Sequence, residues 1–166
     1  CTTMDPESDG LKVEIAESDA DLQRISSVLL QLRDSFDKDG LIARIKEQRQ
    51  RGYQIAYVES EGEVLCVAGF VVGIKLAWGK HIYVDDLVTT EHRRSKGAGA
   101  KMIAWLKSQA RQLGCDQLHL DSGVQRFAAH KFYMREGFKI SSHHFSITDL
   151  QRAEAPKQLE TREQRS

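Results

Sequence analysis

No apolar stretch in this sequence is long enough to cross a bilayer as a helix, and neither sign of charge is in excess. The first absence excludes a helical membrane span. The second, 24 Lys plus Arg against 24 Asp plus Glu, removes the global field that would draw a chain to nucleic acid or to a membrane surface. Cysteine is scarce as well. Cys1, Cys66 and Cys115 are odd in number and stand at no metal-ligand spacing, which argues against a zinc site and for a reducing, cytoplasmic setting. Internal repeats and linker-like tracts are missing, so the 166 residues read as one domain around one core.

What is present is ordinary in bulk and uneven in detail. A composition that is 40% hydrophobic and 29% charged belongs to globular chains. Residues 1–40 hold ten acids and four bases, a net of −6 that the remainder offsets. Such a segment is either a solvated surface or an attractor for a cationic substrate.

Residues 1–10 read as a flexible N-terminal segment, 11–150 as the folded domain and 151–166 as a charged, apolar-poor tail. Within the domain, Lys12 to Ile15 reads as a short strand. Ser18 with Asp21 three residues on forms a helix start, and Leu22, Ile25, Val28, Leu29 and Leu32 follow at helical spacing. Asp39-Gly40 interrupts, a second helix runs to Arg51, and Gly52 stops it. The period then shortens. Gln54 to Glu59, the long apolar run Val64 to Ile74 and His81 to Val88 are strands of two adjacent hairpins. A helix from Gly97 to Leu113, a strand Gln117 to Leu120 and a short helix Ala128 to Arg135 come next. Phe138 to Ile140 and His144 to Ile147 are expected to complete the sheet. The class is α+β.

Two segments carry chemistry. Arg94-Ser-Lys-Gly97-Ala-Gly99 follows a strand and a polar loop and enters an amphipathic helix. Free N–H groups and the positive dipole end at a helix start make an anion site. Glycines admit close approach, and Arg94 adds a charge-assisted donor. The ATP-binding pattern Gly-x4-Gly-Lys-[Ser/Thr] is absent, and the dinucleotide fingerprint would need a third glycine where Met102 stands. A basic loop that merely opens a helix is the alternative. The second segment, Arg126-Phe-Ala-Ala-His130-Lys-Phe-Tyr133, ends in Gly137-Phe138. Read alone, Tyr133 is an amphipathic core aromatic.

Taken together, the order of elements and the two segments resemble the GNAT superfamily of acyl-CoA N-acyltransferases, over roughly residues 11–148. Val84-Asp85-Asp86-Leu87-Val88 with the loop after it is similar to polyamine acetyltransferases, and Arg126 to Phe138 to bacterial aminoalkylphosphonate acetyltransferases. The resemblance implies a mostly antiparallel mixed sheet of about six or seven strands, splayed at its centre and flanked by about four helices. It implies acetyl-CoA as cosubstrate. Arg93, Arg94, Ser95, Lys96, Gly97, Ala98, Gly99 and Ala100 would wrap the pyrophosphate, with Arg126 and His130 nearby. Leu87 and Val88 would hold the pantetheine at the splayed strand, and Tyr133 would protonate the departing thiolate. Many relatives carry Asn where Arg126 stands.

An alkylammonium must lose a proton before its nitrogen can attack, so a base is wanted. Strand alternation places His81, Tyr83, Asp85 and Leu87 on one face and Ile82, Val84, Asp86 and Val88 on the other. Asp86 on an apolar face is costly unless paired, and a bulge near it would relieve the conflict. Asp85 is the favoured base or ammonium anchor, Asp86 the alternative. A strand N–H near Val88 is the natural oxyanion donor. The six histidines lack metal-ligand spacing, so no metal is expected. The reading is an N-acetyltransferase for a primary amine of a small molecule. A protein or peptide N-acetyltransferase, or a non-catalytic acyl-CoA-binding regulatory module, are the alternatives. The acceptor pocket is expected around Leu29 to Ile45, His81 and His144, and a final strand shared between subunits would give a homodimer.

Overall fold

The computed structural model describes residues 10–90 and 97–151. The segment 1–9, the tail from 152 onward and Arg93, Arg94, Ser95 and Lys96 of the loop lie outside the described residues.

Strand β1 (Lys12–Ile15) leads into helix α1 (Asp19–Leu32), whose start is a reciprocal cap. The Asp21 amide donates to Ser18 Oγ at 3.1 Å, and the Ser18 amide to Asp21 Oδ2 at 3.3 Å. Helix α2 (Lys38–Arg49) begins three residues earlier than the sequence suggests. Asp37, not Asp39-Gly40, marks the break: its carboxylate accepts from the Gly40 amide at 2.7 Å, so Asp39 and Gly40 become the first helical turn. The expected interruption at Asp39-Gly40 is thus corrected.

Strands β2 (Tyr53–Ser60), β3 (Glu63–Lys75) and β4 (Gly79–Thr89) form a meander. Helix α3 (Ala98–Gln112) then crosses to β5 (Gln117–Leu120), and α4 (Phe127–Arg135) follows. The sheet order is β1-β2-β3-β4-β5, antiparallel except for the parallel pair β4–β5. That parallel pair is possible because α3 supplies the long crossover it needs.

One face of the sheet packs on α3. Ala68, Phe70, Ile82 and Val84 meet Met102, Ile103 and Leu106 there. On the other face Ile55, Tyr57 and Val67 meet Leu22, Ile25 and Leu29 of α1 and Ile45 of α2.

The register slips within β4. Phe70 pairs with Val84 but Gly69 pairs with Asp86, leaving Asp85 as the extra residue of a β-bulge. The slip inverts the phase of everything downstream. Leu87 joins the α3-side core with Ile82 and Val84, and Val88 packs on the α1–α2 side. The uninterrupted alternation read from the sequence, with Leu87 beside His81 and Tyr83, is therefore wrong beyond Val84. The bulge expected near Asp86 is there, one residue earlier.

The sheet has five strands among the described residues, not six or seven. Phe138 to Ile140 and His144 to Ile147 are not strands. A short apolar alternation becomes a strand only where it can bury one face. Here Ile140, Phe145 and Ile147 stay exposed, while Phe138 alone packs on the core. The described helices number four, as expected, and none is long and apolar enough to cross a membrane.

Candidate active site

The bulge creates two cavities that meet. The larger, about 630 Å³, opens between α1–α2 and β4. The smaller, about 200 Å³, lies where β4 and β5 part company and is closed below by the segment before α4. Arg33, Val84, Asp85 and Asp121 line both, so the two spaces join at the bulge. β5 accompanies β4 only from His81 to Val84. Past that point alternate residues of β4 turn unladdered backbone groups toward the cleft.

The two adjacent carboxylates have different surroundings. Asp86 is held from both sides: Arg33 Nε donates to its Oδ1 at 2.8 Å and the Tyr53 hydroxyl to its Oδ2 at 2.6 Å. Burial and the Asp86 charge raise the Tyr53 phenol far above its usual range, so it stays a donor. The close approach of Tyr53 depends on Gly69. A Cβ at that position would sit 1.6 Å from the Tyr53 hydroxyl oxygen. Asp85 instead has an exposed side chain that forms no hydrogen bond or ion pair among the described residues, although its carbonyl accepts from Arg33 at 3.1 Å. Its carboxyl is raised above the ordinary carboxylate value, first by desolvation in the bulge and then by the neighbouring Asp86 charge, with Arg33 opposing. A carboxylate poised this way is suited to take a proton.

Tyr133 lines the cleft with Asp85 and is almost wholly buried, flanked by the rings of Phe132 and Phe138. Burial raises its phenol while Arg126 pulls it back. It is protonated at neutral pH and able to donate. Leu87 and Arg126 also line the cleft; Val88 does not, being packed on the opposite face. His130 is not among the residues lining the cleft; its Nε2 lies 2.8 Å from the Gly123 carbonyl, which ties the loop before α4 to that helix.

At the start of α3, Gly97 adopts φ of 77° as the helix cap, with no side chain among the described residues capping the first turn. A left-handed cap of this kind favours glycine. A Cβ there would meet nothing within 4 Å among the described residues, whereas one at Gly99 would press on Phe132 Cζ at 3.2 Å. Gly97 therefore serves the turn, and Gly99 serves the packing of α3 on α4. Ala98 is fully buried and Ala100 partly so.

Sequence reasoning missed Arg33, Tyr53, Asp121 and Ser122. The first two act across the fold, and nothing local to either marks it. The polar triplet Asp121-Ser122-Gly123 directly after β5 was a readable signal, because ligands in such sheets gather at strand C-terminal ends. His144 reaches this triplet, with Nδ1 3.7 Å from Asp121 Oδ2. His81 is buried, and the cavity wall is Tyr83 instead, stacked with Trp78. Among the described residues no three His, Cys, Asp or Glu groups cluster to hold a metal.

The β4–β5 ladder ends at Val84 and Leu120, and beyond it Asp85 and Tyr133 line one cleft. The chain belongs to the acetyltransferase (GNAT) family, matching it over residues 22–138. It is 30% identical over 120 residues to the uncharacterized N-acetyltransferase YhdJ of Bacillus subtilis, covering 71% of this chain and 84% of that one. Over 65 residues it is 37% identical to the aminoalkylphosphonate N-acetyltransferase of Salmonella typhimurium, covering 39% of this chain and 41% of the relative. The fold matches glucosamine-6-phosphate N-acetyltransferase from Arabidopsis thaliana with a TM-score of 0.68 at 23% identity, covering 84% and 98% of the two chains.

The protein is accordingly an acetyl-CoA-dependent acyltransferase. The residues present fit that cosubstrate. Ser122 Oγ is buried at the cleft without a hydrogen-bond partner among the described residues, and none of the described residues comes within 4 Å of a Cβ placed on Gly97 at the helix start. An orphaned buried hydroxyl is costly unless a ligand satisfies it.

Proposed function

We propose that the protein moves an acetyl group from acetyl-CoA to a primary amine of a small molecule by direct attack. The observation that carries this reading is Asp85, a carboxylate without a hydrogen-bond or ion-pair partner among the described residues, standing where the larger cavity opens into the cleft that also holds Tyr133. Acetyl-CoA supplies the activated thioester. Asp85 accepts a proton from the incoming ammonium, directly or through water, and later passes it to solvent. The Tyr133 hydroxyl donates its proton to the departing sulfur and regains one from the acylated nitrogen through solvent. Leu87 and Arg126, which line the cleft, would flank the pantetheine. Gly97 to Ala100, continuing the segment Arg93 to Lys96, would receive the pyrophosphate at the start of α3. Val88 would support the strand backbone from behind, and His130 would act through the loop it ties down.

The test is release of free thiol from acetyl-CoA with a panel of small amines and peptides. Turnover with small primary amines supports the proposal. Turnover restricted to peptides, or tight acetyl-CoA binding with no turnover of any amine, overturns it. Tyr133→Phe should slow turnover while leaving acetyl-CoA affinity largely intact. An unchanged rate across the full pH profile would remove Tyr133 from the reaction.

A further inference from the structure

The larger cavity has two electrically distinct ends. At the sheet, Arg33 and Asp86 neutralise each other at 2.8 Å, which leaves Asp85 and Asp121 as the acidic groups at that end. At α2 and the turn after it stand Arg44 and Arg51, two cations against the single carboxylate of Glu47 on the same wall. Arg51 has no acidic partner among the described residues. The acidic partner of Arg44 is Glu47 at a long 3.6 Å between two well-exposed side chains, a pairing that contributes little in water, and its guanidinium lies over the Phe36 ring at 5.8 Å, beside the cavity. The rest of the wall includes Leu29, Phe36, Leu41 and Ile45, an apolar surface suited to an alkyl spacer.

We infer that the acceptor is an amine carrying an anionic group, a carboxylate or phosphonate, seated with its nitrogen at Asp85 and its anion at Arg44 and Arg51. This rests on the amine-acetylation reading above. Guanidinium groups are matched in geometry to planar and tetrahedral oxyanions, which they bind through paired donors. A polyamine would place a second ammonium against the same arginines. An uncharged alkyl chain would leave them unused. The acidic end accounts for any amine, but only an anionic tail uses both ends.

Four amines of matched spacer test this: butylamine, putrescine, aminobutyrate and aminobutylphosphonate. The expected order of kcat/KM puts the two anionic amines first, about tenfold or more above butylamine, with putrescine last. In the double variant Arg44→Gln/Arg51→Gln, both surface positions, the preference for the anionic amines over butylamine should collapse. The loss should fall on KM rather than kcat, since the arginines touch the far end of the substrate. The ratio of the two anionic amines shows which oxyanion fits better. Equal rates for butylamine and the anionic amines, or a preference for putrescine, overturn this inference while leaving amine acetylation intact. A preference that survives the double variant does the same. No thiol release with any of the four, beside turnover of peptides, overturns both readings together.

Discussion

Strand β4 is two strands in one. From His81 to Val84 it is paired on both sides, antiparallel to β3 and parallel to β5. From Asp86 to Thr89 it keeps β3 and has no β5 partner. The first half is ordinary sheet interior, with Ile82 and Val84 buried against α3. The second half borders the cleft. Asp85 is the joint between them, and its position explains why two neighbouring carboxylates of identical chemistry have different fates. Asp86 falls back into register and is clasped by Arg33 and Tyr53. Asp85 is left out of the ladder and remains chemically available. A bulge here does two things at once, ending the pairing and turning one carboxylate into the opening it creates.

The sharpest way to break this comparison is to remove one charge at a time. Asp85→Asn should lower kcat on the order of a thousandfold, the range of a lost general base, with acetyl-CoA affinity kept. Asp86→Asn should act on the fold instead, costing about 2 kcal/mol by weakening a charge-assisted pair in a largely buried site, as read from denaturant unfolding. If Asp86→Asn abolishes turnover without loss of stability while Asp85→Asn is active, the two roles are reversed.

Gly69→Ala probes the same joint from β3. The new Cβ would overlap the Tyr53 ring and hydroxyl, and neither can yield without releasing Asp86. A stability loss of about 3 kcal/mol is expected from such overpacking, together with lower turnover as the register around Asp85 relaxes. A variant of unchanged stability would show that Tyr53 has another place to go.

How much of this could be read from the chain depends on the range of the forces involved. The cap at Ser18 and Asp21, the apolar face of α1 and the helix stop at Gly52 are settled within a few residues, and the sequence shows them. The bulge was legible as a conflict, an aspartate due on an apolar face, but not its register, because Gly69 and Phe70 on another strand decide where the slip falls. That single slip then carried Leu87 and Val88 to faces opposite those that simple alternation assigns. Arg33 and Tyr53 were invisible because their partner is more than thirty residues away in each case. Asp121 and Ser122 matter only because β5 stops at Leu120. The closing strands were overcalled from short apolar runs, whose fate depends on an edge that no local pattern describes.

A milder change, Tyr53→Phe, separates the clasp from the packing. The ring remains and only the hydroxyl is lost, so Asp86 keeps Arg33. The cost should be about 1 kcal/mol, and kcat should fall less than for Asp85→Asn. Should Tyr53→Phe match Asp85→Asn in kcat, Asp86 would have to be counted with the reacting groups.

The smallest effect concerns pH and tests whether Asp85 is held at a cost. Its folded carboxyl is raised above the ordinary value by desolvation and by Asp86. A group whose pKa is raised on folding binds its proton more tightly in the folded state. Below the unfolded value both states hold the proton, and Asp85 costs nothing. As pH climbs from the unfolded to the folded value, the unfolded chain loses its proton first and the protein is destabilised. Above the folded value the cost is complete, so at neutral pH ionised Asp85 works against the fold. Asp85→Asn should therefore raise Tm slightly at neutral pH, with the gain shrinking as the pH falls through the carboxylate range. Thermal unfolding of the two proteins across that range reads the difference directly. A variant less stable than the parent at neutral pH would mean that the Asp85 carboxylate has an attractive partner in the fold, and that the comparison with Asp86 is one of degree.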